Sequence, residues 1–64
     1  MPVINIAMHK INAETKTNLI RNLTATAVET TGVPEQYFTV LIQELDDANI
    51  GCAGKTRTEM IAAR

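Results

Sequence analysis

Residues 1–10 read Met1-Pro2-Val3-Ile4-Asn5-Ile6-Ala7-Met8-His9-Lys10, and the way they fold constrains everything after them. Ile4, Ile6 and Met8 alternate with Val3, Asn5 and Ala7, the period-two spacing of a β-strand over residues 3 to 8. Both sets are largely apolar, which marks a strand covered on both faces. Pro2 is tolerated in front of it as plain structure, because the first residue of a strand needs no ladder donor. It also carries chemistry. Removal of Met1, the usual processing ahead of a small second residue, makes the Pro2 nitrogen a free secondary amine on a rigid ring at the strand's lip.

Working outward, His9-Lys10-Ile11-Asn12 reads as a loop ending in an N-cap asparagine. From Ala13 to Thr31 the period becomes helical: Lys16, Leu19, Ile20, Leu23 and Ala27 share one stripe, and Asn18, Arg21, Asn22 and Glu29 lie away from it. Lys16 belongs at the stripe's edge, its stem covered and its ammonium in water. Six threonines lower the helix's intrinsic propensity, so it depends on tertiary packing. Gly32 supplies a left-handed stop and Pro34 blocks continuation. A second strand, apolar on both sides, is expected over residues 37 to 43, followed by a polar turn over residues 44 to 49. Residues 50 to 55 are punctuated by Gly51 and Gly54 and suit a hairpin or bulged tail. Residues 58 to 64 fit a short helical turn or an extended arm equally well.

A strand, a long helix and a second strand form one βαβ unit, an α/β (α+β) fold with parallel strands, a right-handed crossover and a C-terminal hairpin or tail. One helix covers only one face of a sheet, and two strands alone are marginal. The other face therefore needs a second chain, and obligate oligomerisation follows from pattern alone.

The bulk properties narrow the function classes. Sixty-four residues allow one domain, residues 1–64, near the lower limit for burying a core unaided. Hydrophobic content of 45% marks a globular chain. A net charge of −1 with scattered Lys and Arg leaves no electrostatic footprint for nucleic acid. No stretch approaches the roughly 20 apolar residues of a membrane span, and no secretory signal pattern is present. The single Cys52 fits a reducing, cytoplasmic setting.

Pro2, Ile6, Glu14-x-Lys16, Leu19-Ile20, Thr31-Gly32, Glu44, Gly51 and the Ala53-Gly54-Lys55 tail, taken with chain length and βαβ order, form a combination over nearly the whole chain. In it the chain resembles the tautomerase superfamily, and most closely its short-chain 4-oxalocrotonate tautomerase group. The resemblance implies a homo-oligomer (a hexamer built as a trimer of dimers, or a dimer) and Pro2 as the catalytic general base. A base works best with a pKa near the operating pH. An apolar pocket, with Val3, Ile4, Phe38 and Ile50 as candidate walls, would lower the amine's pKa toward neutrality. Such a base moves a proton between positions of a small enol or keto acid, and this chemistry requires neither metal nor cofactor.

The chain departs from the family's pattern at its cationic positions. Ile11 stands where characterised members carry a loop arginine, Thr39 where they carry a strand arginine, and Ile50 where they carry an aromatic residue. Lys10 takes the loop cation's place if the alignment gap is moved. The expected substrate-binding set is thus Lys10, Ile11, Thr39 and Ile50. A dicarboxylate favours a planar guanidinium at each end, so weak turnover of such substrates is expected. His9, Cys52, Lys55, Arg57, Asp46 and Asp47 read as ordinary solvated, interface or packed residues. The leading reading is a tautomerase-like isomerase. The alternative is a tautomerase-fold oligomer, non-catalytic or diverged in substrate, that serves assembly or partner binding. Relatives that use the protonated proline as an acid in hydration or dehalogenation offer a third chemistry, but no companion group for activating water is evident.

Overall fold

The computed structural model describes residues 1–64. Strands β1 (Val3–His9) and β2 (Thr39–Leu45) run parallel, with Val3 opposite Thr39, Ile6 opposite Ile42 and His9 opposite Leu45. Helix α1 (Ala13–Thr31) connects them. Its start is fixed by Asn12, whose side-chain oxygen accepts the Thr15 N–H at 2.8 Å. Its end is Gly32, at φ 76°, whose N–H returns to the Val28 carbonyl. The threonine hydroxyls are absorbed locally: Thr17, Thr24 and Thr31 donate to the carbonyls of Ala13, Ile20 and Ala27, four residues back.

β2 begins and ends two residues later than its apolar run predicts. Pro34, at φ −58°, opens a 3₁₀ turn over Glu35–Tyr37, and the N–H groups of Tyr37 and Phe38 bond back to Pro34 and Glu35. Turn chemistry thus overrides the β-propensity of two adjacent aromatics. At the other end Glu44 and Leu45, expected in a polar turn, are strand residues. Asp46 leads into a second 3₁₀ turn, Asp47–Asn49. A tight hairpin follows, β3 (Gly51–Cys52) against β4 (Lys55–Thr56), with Ala53 at φ 55° and Gly54 at φ 79°. Positive φ at both central residues is the backbone that matches hairpin twist. The tail then closes as helix α2 (Arg57–Ala62), which settles the helix-or-arm alternative. Thr56 and Glu59 form a reciprocal capping box at its start, and the Thr56 N–H and hydroxyl hold the Glu59 carboxyl below its ordinary range.

α1 lies on the face of the sheet that carries Ile4, Ile6, Met8, Val40 and Ile42, all half-buried. Lys16, Leu19, Leu23, Thr24, Ala27 and Val28 are half-buried on the helix, whereas Ile20 stays 41% exposed. The opposite sheet face, with Val3, Asn5 and Ala7 beside Thr39, Leu41 and Gln43, has no cover within the protomer. Val3 and Leu41 are 53% and 50% exposed there, and no residue in the chain is fully buried. The radius of gyration is 14.9 Å, against about 11 Å for a compact domain of this length. The accessible surface is 4917 Å², against roughly 4000 Å² for a folded monomer of this mass. The protomer is an open half of a packed structure.

The folded protein should therefore run in light scattering as a species well above its 7.0 kDa chain mass. Leu41→Lys should shift it toward smaller, less stable species, losing about 1.5–3 kcal/mol per chain with the leucine's burial. A stable folded monomer would show that the open face needs no cover.

Candidate active site

The expected site residues fall at two ends of the sheet. Pro2, half-buried, stands directly before β1, and its carbonyl accepts the Thr39 N–H at 3.1 Å. Because the strands are parallel, this one edge gathers Pro2, Val3, Phe38 and Thr39. The Pro2 nitrogen takes no part in the ladder. Its carbonyl is what ties it to the start of β2.

Lys10, Ile11 and Ile50 lie at the far end. Eight residues of extended chain separate Pro2 from Lys10, about 26 Å at strand rise. Ile50 is held beyond the end of β2, where its carbonyl accepts the Arg57 N–H at 2.8 Å. No cavity is enclosed within the protomer. Within one chain the expected site residues are therefore not brought together.

The far end is a dense charge array that the sequence pattern did not announce. Glu44 lies on the helix-facing side of β2; one carboxylate oxygen pairs with the Lys16 ammonium and the other accepts the Ile11 N–H at 2.9 Å. The Lys16 hydrogen bond, followed by the Ile11 N–H, lowers the Glu44 carboxyl from its ordinary 4.5. This contact, which ties β2 to α1 and to the loop after β1, corrects the reading of Lys16 as a cation left to water. Asp46 Oδ1 lies 2.8 Å from Lys10 Nζ, and Asp47 Oδ1 lies 2.9 Å from Arg57 Nε. Asp46 and Asp47 are thus paired, not merely solvated. Arg57 is engaged within its own chain. A signal was available in the sequence: acidic residues 44, 46 and 47 crowd one strand end, and such crowding calls for counter-cations. No group of three His, Cys, Asp or Glu side chains is arranged to hold a metal, and no helix is long and apolar enough to cross a membrane.

The geometry has close counterparts. A family model described as Tautomerase enzyme matches residues 2–60. TomN, a 4-oxalocrotonate tautomerase homologue of the tomaymycin biosynthetic pathway, superposes with a TM-score of 0.92 at 26% identity, over 95% of each chain. A 4-oxalocrotonate tautomerase isozyme from Methylibium petroleiphilum gives 0.92 at 28% identity, over 98% of this chain and 100% of its own. A heterohexameric 4-oxalocrotonate tautomerase from Chloroflexus aurantiacus J-10-fl gives 0.89 at 28% identity, over 94% and 98%. No curated protein sequence matches. The chain belongs to the tautomerase superfamily and has the 4-oxalocrotonate tautomerase fold, a βαβ unit with an added antiparallel hairpin. Family and fold together support an isomerase of the tautomerase type.

The carboxyls of Glu44 and Asp46 are both lowered in the folded chain, from 4.5 and 3.8. The stability they contribute is complete above those unfolded-state values and is lost as pH falls through the lower folded-state ones. The melting temperature should hold near neutrality and drop below about pH 4.5. Glu44→Gln should start lower at neutral pH and lose less on acidification, because glutamine still accepts the Ile11 N–H but does not titrate. Equal acid losses in both proteins would remove Glu44 as a source of the pH dependence.

Proposed function

We propose that the chain is a homo-oligomeric, cofactor-independent keto–enol tautomerase acting on a small 2-oxo or enol acid, with Pro2 as general base after removal of Met1. The observation that carries this reading is Pro2 itself. Its carbonyl is anchored to the Thr39 N–H at the end of the parallel pair, and removal of Met1 would free its nitrogen there. An ordinary α-amino group titrates at about 7.7–8.0 and a secondary amine higher. Apolar cover from a neighbouring copy would disfavour the charged form and bring the amine toward neutrality. The neutral nitrogen then takes a proton from the hydroxyl of an enol acid. The protonated ring returns a proton to the carbon two or four bonds from that oxygen, a 1,3- or 1,5-shift, leaving the keto form and a regenerated base.

The second half of the site would come from another copy. An apolar, open sheet face requires association, and the two halves of the site within one protomer lie a strand's length apart. Lys10 of a neighbouring copy would hold a carboxylate or polarise the carbonyl, with Ile11 and Ile50 as apolar lining and Thr39 beside the base. A hexamer arranged as a trimer of dimers fits the family; a dimer is the smaller alternative. With no basic face for nucleic acid and no membrane span, a small acid in the cytoplasm is the partner to seek.

Intact mass of the expressed protein should show the chain without Met1, since a retained methionine makes the Pro2 nitrogen an amide and no base. Ketonisation of a monoacid enol such as phenylenolpyruvate should be measurable. Pro2→Ala should cut it at least about tenfold, less than the full 10²–10⁴ of general-base catalysis because the alanine amine retains some basicity. Equal rates in both proteins on every enol tried would promote the non-catalytic alternative.

A further inference from the structure

Three acidic side chains at the C-terminal end of the sheet each hold one cation: Glu44 with Lys16, Asp46 with Lys10, and Asp47 with Arg57. The chain's other cations lie elsewhere, Arg21 on the exposed side of α1, Lys55 in the hairpin and Arg64 at the chain's end. Lys10, the residue assigned above to a substrate carboxylate, is thus already opposed by an anion at 2.8 Å. Both members of that pair remain open, at 70% and 64% exposure, so a ligand can reach them.

We propose that Asp46 determines substrate charge: by neutralising Lys10 it leaves this end of the site without net positive charge, and so selects monoanionic acids over dianionic ones. The proposal rests on the reading that Lys10 faces the substrate. Asp46 repels every bound negative charge, so a dianion feels the repulsion about twice and a monoanion once. Specificity then comes from a repulsive element as much as from an attractive one. Arg57 is likewise opposed by an anion, its Nε donating to Asp47 Oδ1 at 2.9 Å, so it adds no net positive charge to this end. The Asp46 hydrogen bond, with Glu44 and Asp47 adding to the negative field, raises the Lys10 ammonium above its ordinary value, so Lys10 stays charged at neutral pH. Asp46 makes no side-chain cap to the turn that follows it, so its replacement by asparagine spares the fold.

The test is equilibrium binding of two inert six-carbon acids, sorbate and muconate, which share a diene and differ by one carboxylate. Neither carries a keto or hydroxyl group to isomerise, so calorimetry reads their affinities without turnover. Asp46→Asn should raise the muconate-to-sorbate affinity ratio about three- to fivefold, the scale of an exposed charge pair. Adding Lys10→Met to that variant restores zero net charge and should return the ratio to its wild-type value. Added salt should shrink the Asp46→Asn gain, which a purely structural effect would not do. A ratio unchanged in Asp46→Asn, a gain kept in the double variant, or no binding of either acid would each overturn the proposal. Failure of the Pro2 chemistry alone would leave the ratio readable, so the two readings fail separately.

Discussion

The structure depends on one geometric constraint: a single helix can cover only one face of a two-stranded sheet. α1 takes the face carrying Ile4, Ile6, Met8, Val40 and Ile42, and nothing in the chain is left to cover Val3, Ala7 and Leu41. A hydrophobic content of 45% is ample for a small core, yet no residue is fully buried. The missing burial is intermolecular. A 64-residue chain is near the lower limit for burying a core alone, and a second layer from another copy would complete it without lengthening the chain.

The same constraint shapes the chemistry. Parallel pairing sets Pro2 beside Thr39 at one edge and sends Lys10, Ile11 and Ile50 to the other. A substrate the size of a small acid does not span a strand's length, so the site proposed here would draw its base and its cation from different copies. The far end is held by Glu44, whose carboxylate joins α1, β2 and the loop after β1 through Lys16 and the Ile11 N–H. Beside it, Asp46 and Asp47 occupy Lys10 and Arg57. At the end of the sheet proposed to meet the substrate, this chain has a lysine that is already paired. Substrate preference would then be a matter of charge balance as well as shape.

Most of the fold was legible in the residues because local signals agreed with one another. Alternation gave β1, the Asn12 cap and Gly32 stop bracketed α1, and Gly51 and Gly54 marked the hairpin. The second strand was displaced because Tyr37 and Phe38 carry strand propensity, while Pro34 imposes a turn that the hydrophobic pattern cannot register. Glu44 looked like turn material because its strand position depends on a partner 28 residues earlier in the chain, and no local rule carries that pairing. The ordering of the tail into α2 rests on the Thr56–Glu59 capping box, a short signal set among residues without strong periodicity. The Pro2–Thr39 contact follows once the strands are known to be parallel. The pairing of Lys10 with Asp46 needs the side chains in place.

Burial of Pro2 on association would turn an ordinary terminal amine into a base poised near neutrality. The direct measurement is a pH titration of the protein labelled with ¹⁵N-proline, followed by NMR. The label also reports Pro34, a tertiary amide that does not titrate and so serves as an internal reference. The Pro2 nitrogen should titrate near neutrality, below the roughly 7.7–8.0 of an ordinary α-amino group. The midpoint should rise when Leu41→Lys weakens the assembly. A Pro2 signal that stays amide-like at every pH, or that titrates at the value of a free secondary amine in the intact oligomer, would contradict this reading.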